Sequence, residues 1–455
     1  MNDHLSLAGI LARIGVILAM AGSMTLGAAH AQAPCSDLPA AEGLTLQTLI
    51  ERAQRCAAGP RVADREVAVA RQRAVATDAA LRPHLSAGAT ATRETVNPDT
   101  LGLAFPGLPS LIGPFGVFDA RLRLSQAVID LAQISAASAA DAAVRAAQAR
   151  ADLDREHLAS EVALAFIRAL AARENLASTE ADLGLAMELD TLARDQHAAG
   201  VASGVDLLRA QTAVAQSRYT RSEAQTLLAR SQLRLQGLSE LPLDPAALTL
   251  QGELAAAAVD ETPGPEAALA QARRDRPEFA LLDAALAEAE ARYAQASRRR
   301  LPTLSLVADY GLSTTTDRWD QQDTYRIGAQ LSLPIYAGGA LQADRAASEL
   351  RIEQQRLQLA ALQRQVEEDV LLAVVTVGNT AEQARAAHAA LELAQRELAS
   401  ARDRFQHGVA DNLDVVAAQA NLARARSQLV DAQAAQQQAR LNLAAATGHA
   451  SGFGL

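Results

Sequence analysis

Lysine is absent from the 455-residue chain, so all 42 basic side chains are arginines. That excludes a P-loop, whose lysine meets the phosphates, and any Schiff-base chemistry. Aromatic residues make up only 3% of the chain. Alanine and leucine take their place, a composition suited to long, thinly packed helix interfaces rather than to a thick globular core. No basic block occurs and the formal net charge is −10, which argues against nucleic acid as a partner. The motifs G-x-S-x-G, H-E-x-x-H and G-x-G-x-x-G are missing, as is a Cys-His pair, so neither an enzyme nor a cofactor is expected. The histidines beyond the leader (84, 157, 197, 388, 407 and 449) show no metal-ligand spacing, so no metal site is expected, and Met187 alone cannot make a Met-rich copper relay.

The N-terminus reads as an export signal. Arg13 precedes an apolar run over 14–28, and Ala29-His30-Ala31 is a small-x-small cleavage site, so residues 1–31 are expected to be removed. No later stretch has the roughly eighteen continuous apolar residues that a spanning helix needs. If the mature chain enters a membrane, it must do so by strands. The two cysteines, Cys35 and Cys56, meet oxidising conditions after export, and a Cys35–Cys56 disulfide is expected. A lipidated Cys35 is the alternative, disfavoured by its Gln32-Ala33-Pro34 context.

What the chain does contain is a duplication. Residues 402–446 read as a helical hairpin, broken at Gly408-Val409, with Asp411 or Asn412 placed to cap the return helix. Its features recur at one constant offset: Ala193-Arg194-Asp195 matches Ala401-Arg402-Asp403, Gly200-Val201-Ala202 matches Gly408-Val409-Ala410, Asp206 matches Asp414, and Gln211 matches Gln419. The organisation expected is a first repeat over 44–239, an irregular linker over 240–264 and a second repeat over 265–447.

Each repeat begins with two short helices, the first pair broken at Gly59-Pro60 and the second at Arg276-Pro277. After Pro83 and Pro302 the period changes to two, giving strand pairs at about 83–128 and about 302–334, joined by a long loop over 96–116 and a short one over 314–323. In the second pair Leu304, Leu306, Leu331 and Leu333 fall on an apolar face, and Arg326 and Gln330 fall on the other among small residues. The apolar face suits lipid and the polar face a wet lumen. Strands of about ten residues cross a tilted bilayer, but four cannot close a barrel, so a spanning barrel must be shared between subunits. Residues 130–198 and 339–406 then read as helices without proline, about 100 Å long each at 1.5 Å per residue. The return helices follow at roughly 203–237 and 411–446. The fold class is mainly α with a membrane β part.

The order of these features carries a resemblance. The strand pairs after Arg82-Pro83 and Leu301-Pro302, the run Leu-Ser-Leu-Pro-Ile-Tyr-Ala-Gly-Gly over 331–339, the Arg276-Pro277-Glu278 break, and Arg404-Phe405-x-x-Gly408-Val409 followed by Leu413-Asp414-Val415-Val416 are similar to the TolC-like outer-membrane efflux and secretion channel family. The match runs from about residue 44 to 447. The resemblance implies a homotrimer in the outer membrane of a Gram-negative bacterium, with four strands per subunit in a shared twelve-stranded barrel and a helical tunnel across the periplasm. Expected contacts are outer-membrane lipid, a periplasmic adaptor protein docked at Gly200, Val201, Ala202, Gly408, Val409 and Ala410, and through it an inner-membrane pump. The duct would export small molecules in a tripartite efflux system. One alternative is the exit duct of a type I protein secretion system, and another, of a different class, is a periplasmic coiled-coil adaptor or scaffold that does not span the membrane.

Asp206 and Asp414 admit two readings. As first-turn acids they are favoured by the helix dipole. The resemblance instead puts Asp414 at an aspartate lining the closed periplasmic entrance, where symmetry copies would form a cation-binding carboxylate ring; Asp206, its counterpart in the first repeat, is the other gate candidate. The family's further aspartate three residues on is Ala417 here.

Overall fold

The computed structural model describes residues 44–102, 106–107, 109–244, 248–254, 263–315, 322–407 and 412–455. The expected leader and Cys35 lie outside them. Helix α1 (Leu46–Cys56) buries Leu46, Leu49, Ile50 and Ala53, one face at helical spacing, and Thr45 caps it through the Thr48 N–H. The break falls at Ala57, not at Gly59-Pro60 as the sequence suggested. Both residues lie in the first turn of α2 (Ala58–Ala79), where proline's missing N–H has no intrahelical partner to lose. In the second repeat α5 (Pro265–Asp275) and α6 (Pro277–Arg298) each start on a proline at the first helical position, and the break at Arg276 stands as read.

Strands β1 (His84–Val96), β2 (Ile112–Ile129), β3 (Thr303–Thr315) and β4 (Gln322–Ser332) form one antiparallel sheet in the order β1-β2-β3-β4. The β2–β3 seam joins the two repeats, from Val117 opposite Thr315 to Ile129 opposite Leu304. β2 is 18 residues long and starts at Ile112, inside the stretch that reads as loop. Pairing with β1 persists past an irregularity at Glu94/Val96 to Val96 opposite Ile112, despite Gly113-Pro114, which weakens any strand pattern in the sequence.

Asp130 caps α3 (Leu131–Ala198), accepting from the Gln133 N–H at 2.8 Å, and Gly339, at φ 87°, precedes α7 (Ala340–Gln406). These helices have 68 and 67 residues. Helix α4 (Gly204–Leu238) returns along α3, and α8 (Asn412–Ala446) along α7. The short helices extend the same pattern. α2 lies along the strand-proximal half of α3, where Asp64 pairs with Arg155 and Thr77 O accepts from Gln133, and α6 packs between the corresponding half of α7 and α3, where Arg298 donates to Ser135 Oγ at 2.7 Å. Each long helix thus runs from the sheet at one end to a hairpin turn at the other.

Alanine dominates the buried positions of α3 and brings the helix backbones close, but leaves little apolar volume per contact. The thickest core sits partway along the long helices, where Val162, Phe166, Ile167 and Leu170 of α3 meet Leu49 and Ile50 of α1, Leu235, Leu441 and Phe453. The linker contributes to it. Leu248, Leu250 and Leu254 are buried there, Leu44 and Leu250 form a parallel bridge, and Arg173 donates to the carbonyls of Leu250 (3.0 Å) and Gly252 (2.7 Å). The described part of 240–264 is thus fastened to the core.

Candidate functional site

The sheet has two unlike faces. On one, Leu304 lies opposite Leu331, Leu306 opposite Ala329, Ala308 opposite Ile327 and Tyr310 opposite Tyr325, and the row continues to Leu122, Leu124 and Leu85. These side chains face outward: Leu331 is 71% exposed, Ile327 78% and Leu306 49%, whereas Leu304 is half-buried. Leu333 is exposed one residue beyond the end of β4. A contiguous apolar surface of this kind marks a contact with lipid or another chain. The helices offer no alternative crossing, since none among the described residues is long and apolar enough to span a membrane.

On the opposite face Gln330 lies beside Ser305, and Arg326 beside Asp309, to which it pairs at 3.7 Å. The sequence placed Arg326 and Gln330 there, but not the network around them. Arg121 donates to both oxygens of Asp119 and to Asp309, each at 2.8 Å. The alternation of Asp119, Arg121 and Arg123 was legible as a polar face; that it meets Asp309 depends on the β2–β3 register, which no local pattern specifies.

At the first hairpin Gly200 takes φ 76°, in the left-handed region where glycine carries no steric penalty, and its surroundings are open. The chain turns through Val201 N–H to Gln196 O (2.8 Å), and His197 Nδ1 lies 3.0 Å from the Ala202 carbonyl that accepts from it. Val201 is 72% exposed, and Val205 and Leu208 on the next turns of α4 extend an exposed apolar strip that the sequence reading did not single out. Ser203 caps α4 with a reciprocal capping box: its Oγ accepts from Asp206 N–H (3.3 Å) and donates to Asp206 Oδ2 (2.6 Å), which also accepts from Ser203 N–H (3.1 Å). The Ser203 hydroxyl holds the Asp206 carboxyl below the usual carboxylate range; burial opposes it, and the Ser203 N–H and Arg209 add smaller downward pulls.

Gly408, Val409 and Ala410 of the second hairpin lie outside the described residues. Beside them Asp414, in the first turn of α8, accepts from Arg404 across the hairpin at 2.9 Å. Further ion pairs link α3 to the second hairpin: Glu188 with Arg402 at 3.3 Å, and Asp182 with Arg426. Burial pushes the Asp182 carboxyl up, and Arg426 opposes it. Cys56 is buried at the end of α1, and no group of three or more His, Cys, Asp or Glu suited to a metal occurs among the described residues.

A family model described as "Outer membrane efflux protein" matches residues 60–239 and 268–449, one segment in each repeat and together most of the chain. The chain belongs to that family. Among its relatives, Nodulation protein T of Rhizobium leguminosarum bv. trifolii is 25% identical over 323 residues, 68% of this chain and 67% of that protein. The proteases secretion protein PrtF of Dickeya chrysanthemi is 30% identical over 146 residues, spanning only 31% of this chain and 32% of that one. The crystal structure of the outer membrane protein VceC from Vibrio cholerae has the same fold, with a TM-score of 0.74 at 20% identity over 89% of this chain and 96% of that one. As an outer membrane efflux protein the chain is a subunit of a Gram-negative outer-membrane channel that extends into the periplasm, with the sheet and long hairpins of that architecture. Membership in this outer-membrane channel family sets aside the reading as a periplasmic adaptor that never enters the membrane.

Proposed function

We propose that this protein is the homotrimeric exit duct of a tripartite efflux system exporting small molecules. The observation that carries the trimer is the open sheet. β1 and β4 are each paired on one side only, while one face of the sheet is apolar and exposed. Four strands are too few to close, since single-chain bacterial barrels begin at about eight, and three copies supply twelve. In that barrel Leu304, Leu306, Leu331 and Leu333 face lipid, and Arg326 and Gln330 face the lumen. The hairpins hang into the periplasm, where Gly200, Val201 and Ala202, together with Gly408, Val409 and Ala410, receive the tips of a periplasmic adaptor. The exposed Val201, Val205 and Leu208 support that placement, because a docked partner would cover them. Asp206 and Asp414 border the periplasmic entrance.

Outer-membrane fractionation with a trimer that collapses to monomer on heating tests the assembly; a soluble monomer would end this reading. Deleting the gene in its host tests the cargo. Raised intracellular dye or drug, restored by the intact gene, is the expected result. The similarity to PrtF favours a second reading, the duct of a type I secretion system. Loss of a secreted polypeptide with unchanged dye accumulation would select it instead.

A further inference from the structure

On the polar face of the sheet three arginines and two aspartates crowd into adjacent rows. Register places Arg123, Asp309 and Arg326 side by side in one row, with Ser86 at its end, and Arg121 opposite Gly311 in the next. Gly311 is what lets Arg121 cross β3: a Cβ there would run into the Ala120 carbonyl and the Arg121 side chain. Arg121 passes over it to hold Asp119 and Asp309 together. Those two carboxylates are largely covered, Asp309 to 14% exposure, and both are occupied by the same guanidinium.

The other two arginines are presented differently. Arg326 is 78% exposed and only grazes Asp309 at 3.7 Å, and Arg123 is exposed with no ion pair among the described residues. Neighbouring rows toward the helices hold His84, Ser125, Val307 and Gly328, then Ser305 and Gln330, without a carboxylate. The remaining carboxylate on this face among the described residues, Glu94, lies eight residues along β1 from Ser86. That is roughly 27 Å away, well beyond a Debye length at physiological salt. What a passing solute meets at this level is therefore guanidinium.

We propose that Arg123 and Arg326 form an anion-selecting belt in the barrel, which concentrates and transiently binds small solutes bearing carboxylate, sulfonate or phosphate groups. The belt rests on the trimeric barrel proposed above, in which three copies put six exposed guanidiniums on one ring. A low-dielectric wall lined by one sign of charge focuses the field and raises the local concentration of the opposite ion. The planar guanidinium fork adds bidentate recognition of oxyanions that an ammonium would lack. Arg121, shared by two aspartates, offsets one of their two charges and holds both carboxylates back, so that three guanidiniums against two carboxylates leave a net positive face whose exposed charge sits on Arg123 and Arg326.

The test uses the purified full-length protein in planar bilayers, with inositol hexakisphosphate added from the barrel side. Wild-type single-channel current should be blocked from that side and more weakly from the other. In the double variant Arg123→Gln/Arg326→Gln the half-blocking concentration should rise at least about tenfold, and the reversal potential in a KCl gradient should lose its anion preference. Asp309→Asn should move both readouts the opposite way. A heat-modifiable trimer in each variant shows that the barrel has assembled. Equal block in wild type and double variant, with trimers intact, would overturn the belt and leave the channel standing. Wild-type protein that makes no trimer and no conductance would overturn the channel reading itself, and the belt with it.

Discussion

At the first hairpin the duplicated aspartate, Asp206, folds back on its own helix start; at the second, Asp414 reaches across the turn to Arg404. The difference lies in the neighbours. Asp206 has Ser203 as cap and Arg209 one turn on, where the second copy has Asp411 and Ala417. Conversely, the place of Arg404 is taken in the first copy by Gln196, which has no charge to offer a carboxylate. Both hairpins keep the acid, and its surroundings assign it a local cap in one and a cross-hairpin clasp in the other. A repeated residue is thus no guarantee of a repeated role.

The deepest likeness between the two halves is that each gives two strands to one membrane wall, and it should break most completely there. Leu331→Arg or Leu306→Arg would put a guanidinium on the apolar face at about 2–4 kcal/mol per copy near the bilayer midplane. The heat-modifiable trimer should disappear on unheated gels. Gln330→Ala, on the other face of the same strand, should leave it intact. Equal tolerance of both would mean that the sheet does not span.

Next come the turns, where the halves should behave alike. Gly200 has φ 76° and open space around it, so Gly200→Trp strains the backbone by about 1–2 kcal/mol but meets no steric wall. The trimer should form while transport is lost, because the indole occupies the docking end. Gly408→Trp should do the same. Transport retained with either variant, measured as dye efflux, would reduce that glycine to a helix stop.

Much of this architecture was legible because it rests on periodicity. The two helix starts at Pro265 and Pro277, the proline-free α3 and α7, and the alternation of β3 and β4 each announce themselves within a few residues. The start of β2 did not, since Gly113-Pro114 reads as a break although the strand runs through it. The Arg121–Asp309 pair was equally silent. Its partners lie in different repeats, and only the packed sheet fixes their register. The clasp at Asp414 needs the hairpin closed before Arg404 comes within reach.

A smaller effect separates the two aspartates. If copies of Asp414 ring the entrance, Arg404 beside each one offsets its charge, so divalent cations should bind less well than to a bare carboxylate ring. Arg404→Gln should therefore strengthen block of single-channel current by divalent cations, and Asp414→Ala should weaken it. Asp206→Ala should change it little, because that carboxylate is spent on Ser203 and Arg209. The same block in all three variants would leave Asp414 as a hairpin clasp and helix-start residue only.

The finest distinction is the response of the first hairpin to acid. Asp206 accepts from Ser203 Oγ and N–H and from Arg209, and these partners depress its folded pKa below the ordinary carboxylate value of about 3.9. The unfolded carboxyl then binds a proton more readily than the folded one. Its contribution is fully present above the ordinary value and fades as pH falls through the lower, folded one. The amides of Val205, Asp206 and Leu207 should accordingly exchange faster with solvent, relative to the middle of α4, once the pH drops below about 4. Ser203→Ala removes the cap and should loosen this turn by about 1 kcal/mol at neutral pH. Asp206→Asn should leave the turn with a flatter acid response, because no proton is then taken up. The exchange rates should be compared with those of Gln211 and Thr212, which lie deeper in α4 and share none of the box's hydrogen bonds. An unchanged pH profile in Asp206→Asn would show that the box contributes nothing to holding the hairpin, and that the difference between the two aspartates is confined to geometry.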